Sequence, residues 1–263
     1  MPRYKLTLEY AGTRYSGWQI QKNARTVQGE LERAIRDVVR SGHLETYGSG
    51  RTDAGVHALA QVAHVDLAAT LPPATLIARV NEALPHDINV LAAERVPARF
   101  HARHSAVARR YLYQIALRRT AFAKPFVWWV RESLDVEKMR SAAASLTGFG
   151  DFRAFTDDDP DEKSTQVAVE AVSIEVRDAL LLVRITGSHF LWKMVRRLVG
   201  VLVAVGRGDL PPGQVGKLLA GESDLPAKLT APASGLFLER VFYDGDPRDI
   251  DDGPAPFVLR LRN

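Results

Sequence analysis

The first hundred residues alternate between two kinds of hydrophobic pattern. Residues 4–10 place an apolar or aromatic side chain at every second position, the repeat of a half-buried strand. Between Val27 and Val39 the apolar positions recur at helical spacing, and Thr26 stands where a helix N-cap is expected. Ala60–Leu67 and Ile88–Val96 predict two more strands with a helix between them. The order strand, helix, strand, helix, strand indicates an α+β fold.

The second half of the chain has a similar order of elements. It predicts, in turn, a strand, a helix, a two-stranded hairpin, a long helix, a short helix and a final strand: Ala108–Leu117, Met139–Leu146, Val169–Val176 with Leu180–Ile185, the segment from Phe190, Leu210–Leu219 and Leu236–Tyr243. We therefore predict two α+β halves, residues 1–105 and 106–245, followed by a tail of residues 246–263 that is rich in Pro, Gly and Asp.

A loop interrupts the second half between Phe149 and Gln166. Its centre, Asp157 to Glu162, reads DDDPDE. A short run of acids between apolar segments is usually a solvated loop tip, so we expect this one to be solvated and mobile.

Composition fits a soluble globular protein, with 46% hydrophobic and 25% charged residues. The net charge of +4 permits nucleic acid as a partner without requiring it. The absence of cysteine excludes disulfides, thiolate nucleophiles and zinc–sulfur sites. The N-terminus shows no signal peptide, and the longest apolar run, Leu198 to Val205, is too short to span a membrane. We expect a cytoplasmic protein that does not bind a membrane.

Residues 48–58, GSGRTDAGVHA, carry the strongest candidate chemistry. Asp53 stands two residues after Arg51 and two before Gly55. Glycines allow a close approach of the backbone to a ligand, and a nearby cation favours the ionised carboxylate that a nucleophile or base requires. An aspartate near a glycine is also the ordinary composition of a turn. The motif taken alone therefore leaves both interpretations open.

Three cations mark the long helix of the second half. Lys193, Arg196 and Arg197 stand at i, i+3 and i+4 and share one face, with no acid among them. Such a face is either solvated or turned towards something negative.

The motif GRTDAGVHA resembles the catalytic motif of the tRNA pseudouridine synthase A family. Other segments resemble the family in the same order along residues 4–243: YAGTRYSGWQIQ, TVQGELERA, NEALPHDI, FHARHSAVARRYLY, GFGDFRAF, HFLWKMVRRLVG and APASGLFLE. The resemblance implies isomerisation of uridine to pseudouridine at positions 38, 39 and 40 of the tRNA anticodon stem-loop. It also implies a homodimer, no small-molecule cofactor and no metal, and two α+β halves with mainly antiparallel sheets that join across a central catalytic cleft.

The resemblance also assigns roles to residues. Asp53 matches the catalytic aspartate, and Arg51 matches an arginine that pairs with it and helps to extrude the target base. Tyr111 matches the residue that packs on the target uracil, and Leu236 matches a residue of the base pocket. In this context the basic residues are expected to contact tRNA phosphates: His101, Arg103, Arg110, Lys193, Arg196 and Arg197.

One segment departs from the family pattern. After Lys163-Ser164-Thr165 the family commonly carries an arginine, whereas this chain continues Gln166-Val167, directly after its acidic run. Two other functions stay open. One is a structured-RNA binder that has kept the fold and lost activity, and the other is a hydrolase that uses Asp53 and His57 as an acid–base pair.

Overall fold

A computed structural model describes residues 1–40, 44–221 and 223–248 of the chain. These residues form two compact units. The first consists of residues 1–107 together with 237–248, and the described part of the second consists of residues 108–236.

The elements alternate between strand and helix along the chain. In order they are β1 (Arg3–Tyr10), α1 (Val27–Val39), β2 (Thr46–Gly48), β3 (His57–Asp66), α2 (Pro73–Ala83), β4 (Ile88–Val96), β5 (Ala106–Ala116), β6 (Trp128–Trp129), α3 (Val136–Ala144), β7 (Gly148–Asp151), β8 (Gln166–Arg177), β9 (Leu180–Gly187), α4 (Met194–Arg207), α5 (Val215–Ala220), α6 (Leu225–Lys228) and β10 (Leu236–Tyr243). Among the described helices none has the length and hydrophobicity that a membrane span needs.

The sheet of the first unit is mainly antiparallel. Strand β1 pairs with β3 on one side and with β4 on the other, and β2 pairs with the far end of β3. Strand β10 joins in parallel, with Phe237 and Leu238 opposite His57 and Ala58. The apolar positions of β1 are all buried while the polar ones between them are not, which confirms the alternation in the sequence. Each large apolar side chain buried in this way contributes about 1.5–3 kcal/mol.

Helix α1 begins at the predicted cap and also covers a sheet edge. The Thr26 hydroxyl accepts a hydrogen bond from the Gly29 amide at 3.3 Å. The buried Glu32 carboxylate accepts from the Thr46 amide of β2 at 3.0 Å, and the Gln28 side chain donates to the Thr46 carbonyl at 2.8 Å. An uncovered edge strand would expose these groups for pairing with another chain. Here the helix satisfies them.

The second unit has its own antiparallel sheet. Strand β9 pairs with β5 and β8, β8 pairs with β7, and β6 adds a short parallel pairing to β5. All residues of β9 are buried. Helix α4 is also almost entirely buried, and its Gly200 has no room for a side chain, since a Cβ there would lie 1.7 Å from the Leu229 carbonyl oxygen.

Several features differ from the sequence prediction, among them β6 and α6, which were not predicted. The three-residue β2 and the four-residue β7 were not predicted, because such short strands carry too few positions to show a period. Residues 210–219, predicted as one helix, form a short 3₁₀ turn before α5. Phe237 and Leu238, which the sequence assigns to the second half, pair with β3, and residues 237–248 belong to the first unit. Most of the predicted tail, residues 249–263, lies outside the described residues.

Candidate active site

Asp53 lies in the loop between β2 and β3, where it is half-buried. The loop is hydrogen-bonded to the segment that follows β1. The Trp18 amide donates to the Thr52 carbonyl at 3.0 Å, and the Gly55 amide donates to the Tyr15 carbonyl at 3.3 Å. Backbone contacts on both sides of Asp53 therefore hold its position from within the first unit.

Two glycines permit this close approach. A Cβ on Gly12 would lie 1.9 Å from the Val56 carbonyl oxygen, and a Cβ on Gly17 would lie 2.5 Å from that of Thr52. Gly17 also has a φ of 89°, a conformation that L side chains rarely adopt. The glycines of the YAGTRYSGW segment are thus required by the backbone packed against the Asp53 loop.

Buried polar groups fix the residues on either side of Arg51. The Gln61 side chain donates to the Gly50 carbonyl at 3.0 Å, and the hydroxyl groups of Tyr10 and Thr52 are 2.8 Å apart. Burial raises the pKa of Tyr10 to about 12, so its hydroxyl stays protonated at neutral pH. The neighbours of Arg51 are held in this way, and Arg51 itself is exposed.

His57 has a structural position in the same region. Its side chain is 1% exposed, and its ring stacks on Phe237 with the centroids 4.7 Å apart. The ring Nδ1 accepts a hydrogen bond from the Gly12 amide at 3.0 Å. A buried ring that holds the backbone is poorly placed to exchange protons with a substrate. The contact with Gly12 therefore gives His57 a structural role.

Three of the predicted site residues come together within the first unit. Arg51, His101 and Arg103 line one pocket, which has a volume of about 620 Å³ and is called the Arg51 pocket below. Tyr47 and His104 line it too.

His101 differs from the expected phosphate-binding cation. Its Nδ1 accepts hydrogen bonds from the amides of Arg103 at 3.2 Å and His104 at 3.4 Å, and burial lowers its pKa. A neutral ring that accepts at Nδ1 carries its proton on Nε2. At neutral pH His101 therefore offers a neutral N–H donor. No group of three or more His, Cys, Asp or Glu side chains in the described ranges is arranged to hold a metal ion.

Tyr111 lies on β5 in the second unit and is 8% exposed. Its ring meets that of Phe190 edge-on, with the centroids 5.1 Å apart. The adjacent Arg110 donates through Nε to the Thr186 hydroxyl on β9 at 3.0 Å. The pairing of β5 with β9 and the Phe190 contact thus fix the Tyr111 ring.

Leu236 follows a loop that packs on β5. The Tyr113 hydroxyl donates to the Pro232 carbonyl at 2.7 Å. A Cβ on Gly235 would lie 2.6 Å from the Tyr113 ring, so this ring and the glycine together determine where Leu236 begins its strand. Leu236 is buried.

Comparison with known proteins now decides the family. A family model described as tRNA pseudouridine synthase matches residues 7–105 and 142–244. The chain belongs to the tRNA pseudouridine synthase family. A relative named tRNA pseudouridine synthase A from Rhodopseudomonas palustris (strain BisB18) is 42% identical over 247 residues, which cover 92% of this chain and 100% of the relative.

Two further relatives with the same name have a similar extent. The protein from Myxococcus xanthus is 42% identical over 258 residues, covering 96% of this chain and 97% of its own. The protein from Shouchella clausii (strain KSM-K16) is 38% identical over 257 residues, covering 97% and 98%. The predicted membership of a pseudouridine synthase family and the mainly antiparallel α+β fold are confirmed.

In this member of the family two of the three cations, Lys193 and Arg197, face an acid, Asp157. Lys193 Nζ lies 2.6 Å from Asp157 Oδ2, and the Arg197 guanidinium bonds to the same carboxylate and to the Thr156 carbonyl. Arg197 is only 4% exposed. Arg196 donates through Nε to the Ala231 carbonyl at 2.7 Å.

The start of the acidic run is exposed, as expected of a loop tip, but ion pairs and hydrogen bonds hold it. Asp157 bridges Lys193 and Arg197, and the hydrogen bond from Lys193 lowers its pKa. The Asp158 carboxylate accepts from the Trp192 amide at 3.0 Å and pairs with Lys163 at 2.6 Å. The residues after Thr165 that differ from the family pattern begin strand β8, in which Val167 is buried.

The buried His64, whose ring stacks on Tyr47 of the Arg51 pocket, is expected to make the stability depend on pH. Its side chain is 2% exposed and accepts a hydrogen bond at Nδ1 from the Ala102 amide at 3.1 Å. Burial, with the nearby charges of Arg3 and His101, lowers its pKa to about 4, while Asp66 acts in the opposite direction. Between pH 6.5 and 4 the unfolded chain binds a proton at His64 that the folded chain does not. Stability therefore falls as the pH decreases through this range.

We expect His64→Gln, which keeps an acceptor for the Ala102 amide, to reduce this dependence by up to about 1.4 kcal/mol per pH unit. Urea unfolding of both proteins at pH 7, 6 and 5 measures the difference. His86→Gln, a change at an exposed histidine, is the control and should follow the wild type. Equal slopes for wild type and His64→Gln would contradict the assignment.

Proposed function

We propose that the chain isomerises uridine to pseudouridine at positions 38, 39 and 40 of the tRNA anticodon stem-loop, with Asp53 as the catalytic nucleophile. The observation that carries the proposal is the family match across residues 7–105, which contains the Asp53 loop. Hydrogen bonds to the segment that follows β1 hold that loop in place. The relatives named tRNA pseudouridine synthase A support tRNA as the substrate.

The reaction asks for one ionised carboxylate next to the nucleotide. The N1–C1′ bond breaks, the uracil turns, and C5 joins C1′, while the C5 proton leaves and N1 gains a proton. Asp53 can attack C1′, attack C6 of the uracil, or remove the C2′ proton to give a glycal. A rigid loop that presents the carboxylate half-buried serves each of these routes, because little reorganisation remains at the moment of reaction.

The detached uracil has to be kept in place while it turns. We assign that task to Tyr111, which packs on the target base, with Leu236 lining its pocket. Stacking on an aromatic ring is worth roughly 1–3 kcal/mol per base. That is comparable with the few kcal/mol needed to extrude a base. The edge-on contact with Phe190 supports the assignment, because it fixes the ring before substrate arrives.

Basic residues position the tRNA through its phosphates in this proposal. Arg103, Arg110, Lys193 and Arg196 are assigned this role, and Arg51 assists extrusion of the base. His101 contributes as a neutral N–H donor. Arg197 is left out, since its guanidinium is buried against Asp157 and Thr156. A homodimer and a cytoplasmic location are also part of the proposal, on the strength of the family resemblance and of tRNA as the substrate.

A catalytically inactive RNA binder is the alternative. The presence of Asp53, Arg51 and Tyr111, the residues to which the family resemblance gives roles in the reaction, argues against it.

Mapping of pseudouridine on an unmodified tRNA transcript tests the proposal. With uridines at positions 38, 39 and 40 we expect pseudouridine at those positions and none in a transcript that carries cytidine there. Pseudouridine at other positions would support the proposed reaction but overturn its assignment to positions 38, 39 and 40. Tight binding of the transcript with no product would favour the inactive binder.

A further inference from the structure

The Arg51 pocket contains groups that the proposed chemistry at Asp53 does not use. Its volume of about 620 Å³ is in the range of sites that enclose small organic ligands. Its wall includes Tyr47, His101, Arg103 and His104 in addition to Arg51, all within the first unit. Asp53 itself does not line it. The pocket is therefore available to a different part of the substrate.

Tyr47 supplies an aromatic surface in this pocket. The side chain is 46% exposed, although one face of the ring is covered by the buried His64 ring, which lies 5.1 Å away and nearly parallel at 16°. The Tyr47 hydroxyl donates to the Glu45 carboxylate, which fixes the ring in its plane. A tyrosine held on one face and exposed elsewhere is a stacking platform for a flat apolar ring.

Hydrogen-bond donors surround this platform. Arg51 and Arg103 are exposed cations, and His101, whose ring centroid lies 5.7 Å from that of Tyr47, carries its proton on Nε2. The acids of the wall are engaged within the protein. Glu32 pairs with Arg36 at 2.6 Å, and Glu45 accepts from the Tyr47 hydroxyl. An aromatic platform flanked by guanidinium groups suits a nucleobase with its phosphate.

The position of Arg51 indicates which nucleotide this would be. Arg51 precedes Asp53 by two residues, so at most about 7 Å of backbone separates them. A phosphate at Arg51 would therefore be close, along the RNA strand, to a uridine at Asp53.

We propose that the Arg51 pocket binds an unpaired nucleotide of the tRNA next to the target uridine, with the base stacked on Tyr47 and the phosphate held by Arg51 and Arg103. This inference rests on the proposed function. It adds a second recognition site that favours target uridines whose neighbour is free to leave the stack.

The test compares Tyr47→Leu with Tyr47→Phe in steady-state pseudouridine formation on the tRNA transcript. Leucine keeps an apolar contact for His64 but removes the ring, and phenylalanine keeps the ring. We expect Tyr47→Leu to raise KM about tenfold with little change in kcat, and Tyr47→Phe, which keeps the ring but loses the bond to Glu45, to raise KM less than Tyr47→Leu does. Phe122→Leu removes an aromatic ring that is 93% exposed in the second unit, and it should leave both constants unchanged. A wild-type KM for Tyr47→Leu would overturn the pocket and leave the proposed function intact.

A binding measurement separates the two proposals if the wild type makes no product. Filter binding of the same transcript should then be about tenfold weaker for Tyr47→Leu than for wild type if the pocket takes a nucleotide. Uridine monophosphate and inorganic phosphate serve as competitors. The proposal is supported if uridine monophosphate competes with the transcript for the wild type and no longer competes for Tyr47→Leu. Equal competition by inorganic phosphate, unaffected by Tyr47→Leu, would show an anion site only and overturn it.

Discussion

Asp53→Asn is expected to lower pseudouridine formation by a factor of at least about 10⁴, the size of loss that removal of a nucleophile produces in other enzymes. The amide has the shape of the carboxylate, so the loop should stay in place, since its hydrogen bonds to Tyr15 and Trp18 are made by backbone groups. The amide, however, carries no negative charge and is a poor nucleophile and base. The measurement is single-turnover pseudouridine formation on the unmodified transcript.

Binding of the transcript to Asp53→Asn should stay within a few-fold of wild type, because the phosphate contacts lie elsewhere. Asp37→Asn, at an exposed aspartate of α1, is the matched control and should retain full activity. Substantial product from Asp53→Asn would remove Asp53 as the nucleophile. Loss of binding together with activity would indicate a damaged fold, which thermal unfolding of the variant would reveal.

Asp157→Ala is expected to destabilise the second unit by about 2–4 kcal/mol. The substitution leaves the Arg197 guanidinium buried with carbonyl partners but no countercharge, and breaking a buried ion pair from one side is costly. The expected loss of stability is smaller than the about 3–5 kcal/mol of a fully buried ion pair. Asp157 is partly exposed, and Arg197 keeps its bond to the Thr156 carbonyl. Urea unfolding at neutral pH measures the change.

Asp161→Ala is the matched control, since Asp161 belongs to the same acidic run and is exposed. It should change stability by less than about 0.5 kcal/mol. The double variant Asp157→Ala/Arg197→Leu should recover part of the loss, because it removes the uncompensated charge as well. An Asp157→Ala protein as stable as Asp161→Ala would show that the carboxylate is not a structural partner of Arg197.

Periodicity in the sequence identified the regular elements well. The alternation of β1, the N-cap at Thr26 and the apolar stripe of α1 are local features, and each one is found in the structure. Strand β2 is three residues long and depends on Glu32 and Gln28 of α1 for its outer hydrogen bonds. That partnership joins separate elements, and no local pattern indicates it.

The chemistry of single residues was harder to predict, because it depends on partners distant in sequence. Lys193 and Arg197 have no acid near them in the sequence, and their partner Asp157 lies about 40 residues earlier. His57 and His101 could each have been a catalytic or phosphate-binding group by residue type. Their Nδ1 atoms instead accept backbone hydrogen bonds, and only coordinates reveal such bonds. The Asp53 loop was identified through its family motif.

The pairing of β10 with β3 has a consequence for synthesis on the ribosome. The strand that carries His57 receives its parallel neighbour, and the Phe237 ring on which His57 stacks, only from residues 237–238. At about 5–20 residues per second these residues follow Val107 by roughly 6–26 s. Throughout that interval the nascent first unit has the Asp53 loop but an unfinished sheet edge beside it. The sheet next to the Asp53 loop is therefore completed only when nearly the whole chain has been made, and a truncated translation product would lack this pairing.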